Sequence, residues 1–214
     1  MSFINKIFIK GRRITMAIDR RIRKTKALLR SGLTDLMKQK PVNKITVKEL
    51  ADYVDINRGT FYLHHKDIFD LLSSIESELM QELKDVFDKY NFEKQQIEPL
   101  LFLTDIFHFL DHNAEIVTVL LSSNGDILFI DQMKEFVKEK CLNNWMHTYS
   151  VSDPIRYEYF YAFIINGIIG LFQAWLERNR KESPEEIAHM AERIICQGIE
   201  TLNESQKSPI LAIF

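Results

Sequence analysis

The sequence predicts an all-α protein, and three observations carry that prediction. Apolar residues recur at three- and four-residue spacing over most of the chain. Only 7 Gly and 5 Pro occur in 214 residues, so few positions interrupt a helix. Helix-start signatures also recur, at Thr46–Glu49, Asn57, Asp67, Asp153–Pro154 and Ser183–Glu186. With 46% hydrophobic residues and 15 Phe, the chain can bury a sizeable core in one large or two modest domains.

At the N-terminus, Lys6 and Lys10 break any apolar core in "MSFINKIFIKGRRITMAIDRR", which makes it a poor signal peptide. Its character shifts near Met16, so translation from Met16 is an alternative and residues 1–18 read as an extension. The first long helix is expected from Asp19 to Gln39, burying Ile18, Ile22, Leu29, Leu33 and Leu36, and "KQKPVNK" ends it. Thr46 and Glu49 then form a capping box, flanked by Ile45 and Leu50 at the staple positions. Val47, Leu50, Ala51 and Val54 fall on one helical face. Asp55 breaks the pattern, and Asp tolerates a left-handed turn better than most residues. Asn57 is a second N-cap, with Ile56 and Phe61 repeating the staple geometry. The second short helix, Asn57 to Leu63, should bury Phe61 and, at its end, Leu63.

Asp67 opens a long helix to Tyr90, with Ile68, Leu71, Leu72, Ile75, Leu79, Leu83 and Phe87 inward. The loop "NFEKQQIEP" marks a change of domain. The expected division is an extension (1–18), a helix-turn-helix domain (19–66), a linking helix (67–90) and a helical body (91–214). In the body, helices are expected at Leu100–His112, Ala114–Leu121, Ile127–Tyr149, Pro154–Arg180 and from "SPEE" to Leu202, before a poorly ordered tail.

Net charge is −2 overall, but it is unevenly placed. Residues 1–66 hold 16 Lys+Arg against 5 Asp+Glu, whereas residues 67–214 hold 12 against 25. A basic head on an acidic body is the footprint of a localised polyanion site. The second short helix coincides with that head and points Asn57, Arg58, Gly59, Thr60, Tyr62 and His64 outward, with no acid among them. A solvated face would more usually be rich in Glu and Lys. Arg can be bidentate to guanine, Asn to adenine, and Thr can touch a thymine methyl. Tyr, His and Lys66 can hold phosphates.

Tyr159 to Leu176 is an uncharged run of 18 residues, interrupted by Asn166 and Gln173 and without a basic flank that would orient it in a membrane. A helix apolar all round in a soluble protein is buried on every side. Gly167, Gly170 and Ala174 make a small-residue strip that lets a second subunit approach, with Ile168, Leu171 and Trp175 supplying apolar area. Ile194 and Gly198 of the last helix complete the expected dimer face.

Cys141 and Cys196 sit singly, with no metal or redox spacing, as in a reduced cytoplasmic protein. His108 and His112 lie at i, i+4, but the intervening residues lack the Glu of a metalloprotease motif, and a core or boundary histidine is the commoner reading. No nucleophile–base set or phosphate loop is visible. No catalytic residue, metal or cofactor is therefore expected. His108, Trp145, Tyr149, Phe163 and Asn166 are candidate pocket residues for a small molecule.

The stretch "ITVKELADYVDINRGTFYLHHKDIFDLL" resembles the TetR family of transcriptional regulators, with similarity from about Arg21 to Tyr90. The family pattern is a Thr-capped helix, a turn, a short helix ending in an aromatic-Tyr-x-His-like group, then a Lys and an acid opening the fourth helix. The resemblance implies a three-helix DNA-binding head, a larger ligand-binding body and a homodimer formed by the last two helices. By position, Thr46 and Lys48 would meet phosphates, Arg58, Gly59 and Thr60 would face base edges, and Tyr62, His64 and Lys66 would grip the backbone. The partners so implied are a near-palindromic double-stranded DNA operator, a second copy of the chain and a small-molecule effector, with no membrane. Family members often carry Gly where this chain has Asp55. "NGIIGLFQAWLERNRKESPEEIA" resembles the dimer helices of the dihydroxyacetone-regulator-like subgroup, but that ligand is not carried over. The expectation is a transcriptional regulator of the repressor type, whose effector releases it from DNA. The alternatives are a helical adaptor that binds ligand or protein without DNA, and a metal-dependent helical protein.

Overall fold

A computed structural model describes residues 3–90, 98–148 and 154–203, with side-chain surroundings for 20–90, 98–141, Ile155 and 158–197. Among these residues the chain is helical without strands. The helices are α1 (Phe3–Met37), α2 (Val47–Tyr53), α3 (Arg58–Tyr62), α4 (Ile68–Asp88), α5 (Pro99–His112), α6 (Ala114–Leu120), α7 (Ile127–Thr148), α8 (Pro154–Glu177) and α9 (Pro184–Asn203). A 3-10 turn, Val42–Lys44, precedes α2.

The chain forms two compact units. The first holds residues 1–77 with Val119–Gly125, and the second holds Glu78–Thr118 with residues 126–214. The division falls inside α4, which continues unbroken from Ile68 to Asp88.

In the first unit, Leu29, Leu33, Leu36 and Met37 of α1 are buried with Leu50, Ala51, Phe61, Ile68, Leu71, Leu72 and Ile75. Gly32 lets α2 lie against α1: a Cβ there would overlap the Val54 side chain. Asn124 Nδ2 donates to the Met37 carbonyl at 3.1 Å, which satisfies an acceptor at the end of α1.

The first helix starts at Phe3, well before the expected Asp19, since no proline interrupts residues 3–37. Ile22 is 36% exposed, so the inward stripe runs instead through Thr25, whose hydroxyl donates to the Arg21 carbonyl at 3.0 Å. The expected inward residue Ile18 lies outside the described side chains.

In the second unit, α5 packs along α9, α8 lies on α9, and α7 meets α8. Phe102, Leu103, Phe107 and Phe109 of α5, Phe172 and Trp175 of α8, and Ile187, Ala188, Ala191 and Ile195 of α9 are all buried. Ala188 and Ala191 keep that face of α9 flat enough for bulky α5 aromatics. Asn113 is buried and satisfied: its Nδ2 donates to Glu82 Oε2 at 2.7 Å and to the Phe109 carbonyl at 3.2 Å.

Ser183 and Glu186 make the full capping box that the sequence predicts. Glu186 N–H donates to Ser183 Oγ at 3.2 Å, and Ser183 N–H donates to Glu186 Oε2 at 2.8 Å. The preceding helix ends at Glu177 rather than Arg180 because Asn179 and Arg180 turn left-handed, at φ 58° and 51°. Arg180 N–H closes that end on the Trp175 carbonyl at 2.9 Å, and its guanidinium pairs with Asp111 at 2.8 Å.

The helix expected to be buried on every side is not so within one chain. Glu158–Glu177 is long and apolar enough to cross a membrane by length and composition, yet only 17% of its most apolar window is buried. One face packs on α9, and the other carries Tyr159 and Phe163, 75% and 69% exposed.

Candidate nucleic-acid interface

The head is built by caps. Thr46 Oγ1 accepts from Glu49 N–H at 3.2 Å and fixes the start of α2. The Glu49 carboxylate bonds to Lys40 Nζ at 2.6 Å, and that bond, the nearby ammonium charge and the Thr46 backbone amide hold its pKa below the usual carboxylate value. At the other end of α2 the chain makes a Schellman turn: Ile56 N–H reaches the Ala51 carbonyl at 2.9 Å. That turn needs a left-handed residue, and Asp55 supplies it at φ 54°. Asn57 Oδ1 then accepts from Gly59 N–H at 2.7 Å and starts α3.

Phe61 anchors α3, fully buried, and His65 follows one turn later at 6% exposure. Their rings lie 5.8 Å apart. Behind them, Asp67 Oδ1 accepts from Asp70 N–H at 2.8 Å, while Asp70 Oδ2 accepts from Lys66 N–H at 3.1 Å and stands 3.4 Å from His65 Nδ1. Burial pushes the His65 pKa down, with Asp70 opposing. This knot fixes the angle at which α3 leaves for α4. The sequence reading missed His65; its signal was the i, i+4 spacing from Phe61, which puts it on the same inward face.

Thr46, Lys48, Asn57, Arg58, Gly59, Tyr62 and Lys66 are exposed on this head, and Thr60 and His64 are half-buried. Two expectations need correction. Leu63 is 80% exposed instead of buried, because α3 ends at Tyr62 and His65 takes the inward position. Asn57 has its Oδ1 committed to the cap, so it cannot present the oxygen and nitrogen together to an adenine edge; its amide nitrogen is the remaining donor.

The candidate pocket residues are not brought together. Phe163 and Asn166 lie on the outer face of α8, where Asn166 Nδ2 donates to the Ala162 carbonyl of its own helix at 2.7 Å. His108 is exposed and bonds to Glu185 Oε1 at 3.0 Å. With His112 it lines an open cleft of about 290 Å³ with Glu82, Asp85, Lys89 and Asp105 over Val86 and Phe109. The Trp145 side chain and Tyr149 lie outside the described residues. Among the described residues, no three His, Cys, Asp or Glu side chains cluster as a metal site.

Of the candidate dimer residues, Gly167, Gly170 and Ala174 are exposed on α8, Ile168 and Leu171 are half-buried, and Ile194 on α9 is 51% exposed. Among the described residues, a Cβ on Gly167 or Gly170 would meet nothing within 4 Å beyond its own helix backbone. Trp175 does not face outward: it is 2% exposed, its Nε1 donates to the Glu182 carbonyl at 2.8 Å, and its ring meets Phe107 edge-on. A buried indole N–H needs a partner, and the turn after α8 provides one. The surroundings of Gly198 lie outside those described. Ile155, Tyr159 and Met190, which the sequence reading passed over, add to the exposed apolar face.

A TetR-type family model for the C-terminal region of transcriptional regulators matches residues 97–197. An HTH-type transcriptional regulator of Bacillus subtilis, YxbF, is 21% identical over 180 residues, which cover 80% of this chain and 44% of that protein. The chain thus spans less than half the length of that relative. The crystal structure of a TetR transcriptional regulator from Streptococcus agalactiae shares its fold, with a TM-score of 0.55 and 22% identity over 85% of this chain and 98% of that one. The fatty acid degradation regulator FadR from Bacillus halodurans does so with a TM-score of 0.55 and 15% identity over 81% and 95%. The dihydroxyacetone kinase operon activator DhaS does so with a TM-score of 0.50 and 16% identity over 83% and 97%. Residues 97–197 thus match a TetR-type C-terminal region, and the chain shares the all-helical fold of TetR-type transcriptional regulators, with a capped helix-turn-helix in its basic N-terminal part.

Proposed function

We propose that the chain binds a near-palindromic DNA operator as a homodimer in the cytoplasm, and that a small molecule held in the body releases it. The observation that carries this reading is the outward face of α3. Arg58, Gly59 and Tyr62 stand exposed on a helix that contains no acidic residue, in a segment with 16 Lys+Arg against 5 Asp+Glu over residues 1–66. Arg58 is the base reader, suited to the O6 and N7 of guanine. Lys48, Lys66 and Tyr62 hold phosphates and set the register. One α3 of five residues offers few contacts, so a two-fold partner is needed to double them.

The exposed face of α8 and α9 supports that partner. Tyr159, Phe163, Met190 and Ile194 offer apolar area there, and the bare backbone at Gly167 and Gly170 lets a second α8 approach. Effector binding acts by favouring a separation of the two heads that does not fit the operator. Genome-wide footprinting of the full chain tests the reading. Discrete protected sites of two inverted half-sites are expected, lost when the effector is added and lost in Arg58→Ala. Uniform, sequence-independent protection would contradict it.

A further inference from the structure

At the C-cap of α3 stands an exposed apolar side chain, Leu63, in a segment whose other outward side chains are polar. Phe61 and His65, four residues apart and 0% and 6% exposed, define the inward side. Gly59 and Leu63, also four apart and joined by Leu63 N–H to the Gly59 carbonyl at 3.2 Å, define the opposite ridge. Leu63 is 80% exposed, the highest value among the exposed large hydrophobic side chains described. One turn before it, a Cβ on Gly59 would meet only Asn57 Oδ1, so the ridge there is open. A surface that approaches this helix therefore reaches Gly59 closely and meets Leu63 next, with Arg58 and Tyr62 on the flank.

We propose that Leu63 is a specificity-determining residue of the head, seating the 5-methyl group of a thymine in the major groove. The inference rests on the DNA-binding reading above. The basic head selects a polyanion, and within a duplex the major groove displays one apolar group, the thymine methyl, among donors and acceptors. Leucine can neither donate nor accept a hydrogen bond. It therefore reads that methyl and is indifferent to the polar edge that Arg58 reads. The Gly59 backbone lets the helix sit deep enough for the contact.

The test removes the methyl without disturbing base pairing. A duplex is selected in vitro with the full-length protein, and each thymine is replaced in turn by deoxyuridine. Fluorescence anisotropy then gives the affinity of each duplex. One thymine per half-site should be sensitive, with a loss of about fourfold per half-site, the worth of one buried carbon. Leu63→Ala should bind the thymine and uridine duplexes equally at that position. Leu63→Met, still apolar, should keep the thymine preference. The side chain is largely free of packing, so both variants should fold, as circular dichroism will verify. If Leu63→Ala keeps the wild-type thymine-to-uridine ratio, or if no uridine weakens the wild type, Leu63 is not the methyl reader, although the protein still binds DNA. If selection enriches no sequence, the DNA-binding reading fails, and this inference with it.

Discussion

His65 Nδ1 stands 3.4 Å from Asp70 Oδ2, which ties the segment after α3 to the first turn of α4. The same carboxylate accepts the Lys66 N–H, so one oxygen serves both the imidazole and the backbone. His65 is buried against Phe61, and the charges it feels are Asp70, His64 and Lys26. The geometry of α3 thus depends on an ionisable group held inside the head.

That dependence sets a pH response. Burial lowers the His65 pKa in the folded state, so below the ordinary histidine value the unfolded chain binds the extra proton more readily. The contribution to stability is complete above that value and is lost as pH falls through it toward the folded pKa. Thermal melts of the wild type should show Tm falling from pH 7.5 to 5.5. His65→Phe, which keeps a ring against Phe61, should flatten the decline. An identical decline in the variant would assign the effect to other groups.

Asp55 holds φ 54° at the turn between α2 and α3, a conformation that Gly adopts without strain. Asp55→Gly should relieve backbone strain and raise stability by about 0.5–1 kcal/mol, part of it offset by the freer unfolded chain. Asp55→Val should lower stability, because a β-branched residue resists the left-handed region. Urea denaturation with an unchanged slope is the measurement. Equal midpoints for Gly, Asp and Val would mean that the turn carries no strain.

Arg58 and Lys66 carry different proposed roles, base reading and phosphate contact. Arg58→Ala should weaken specific binding by about 1–3 kcal/mol and relax preference at one position per half-site. Lys66→Ala should weaken all sequences alike and lower the salt slope by about one for each phosphate that the lysine neutralises. Titrations at several salt concentrations on selected and scrambled duplexes separate the two. If both variants keep the wild-type sequence profile and salt slope, the roles given to these two side chains are wrong.

The head was largely legible in the sequence because its determinants are local. Thr46, Asn57 and Asp67 cap helices through neighbours two or three residues away, and Asp55 interrupts a period that can be read by counting. Leu63 was expected inward, and the inward place of His65 was passed over. The length of α3 decides which of them faces in, and a five-residue helix leaves no periodicity to fix its end. Trp175 was assigned outward for a related reason. On a helix apolar all round, sequence cannot separate the face that packs on α9 from the face left open; the Glu182 carbonyl that receives the indole N–H is set by the following turn. The pocket residues were least legible. Aromatic and polar residues on long helices converge or diverge with tertiary packing, and Phe163 and Asn166 lie outward.

Gly170 isolates assembly from folding. Among the described residues, nothing beyond its own helix backbone lies within 4 Å of a Cβ placed there. Gly170→Leu should therefore leave the single-chain fold intact and clash only with a partner, at a cost of about 1–3 kcal/mol for each overpacked site. Sedimentation at low micromolar concentration should show more monomer, with unchanged circular dichroism. A fully dimeric variant would place the interface elsewhere.

In the proposed function, two basic heads of a homodimer read one symmetric site. The most direct measurement is the stoichiometry and half-site dependence of binding to an in vitro selected duplex, by sedimentation of labelled DNA with the full-length protein. Two chains per duplex are expected, on a near-palindromic site with half-sites spaced by about one helical turn or a multiple of it, with a steep loss of affinity when either half-site is scrambled. One chain per duplex, or affinity that does not change when a half-site is scrambled, would contradict it.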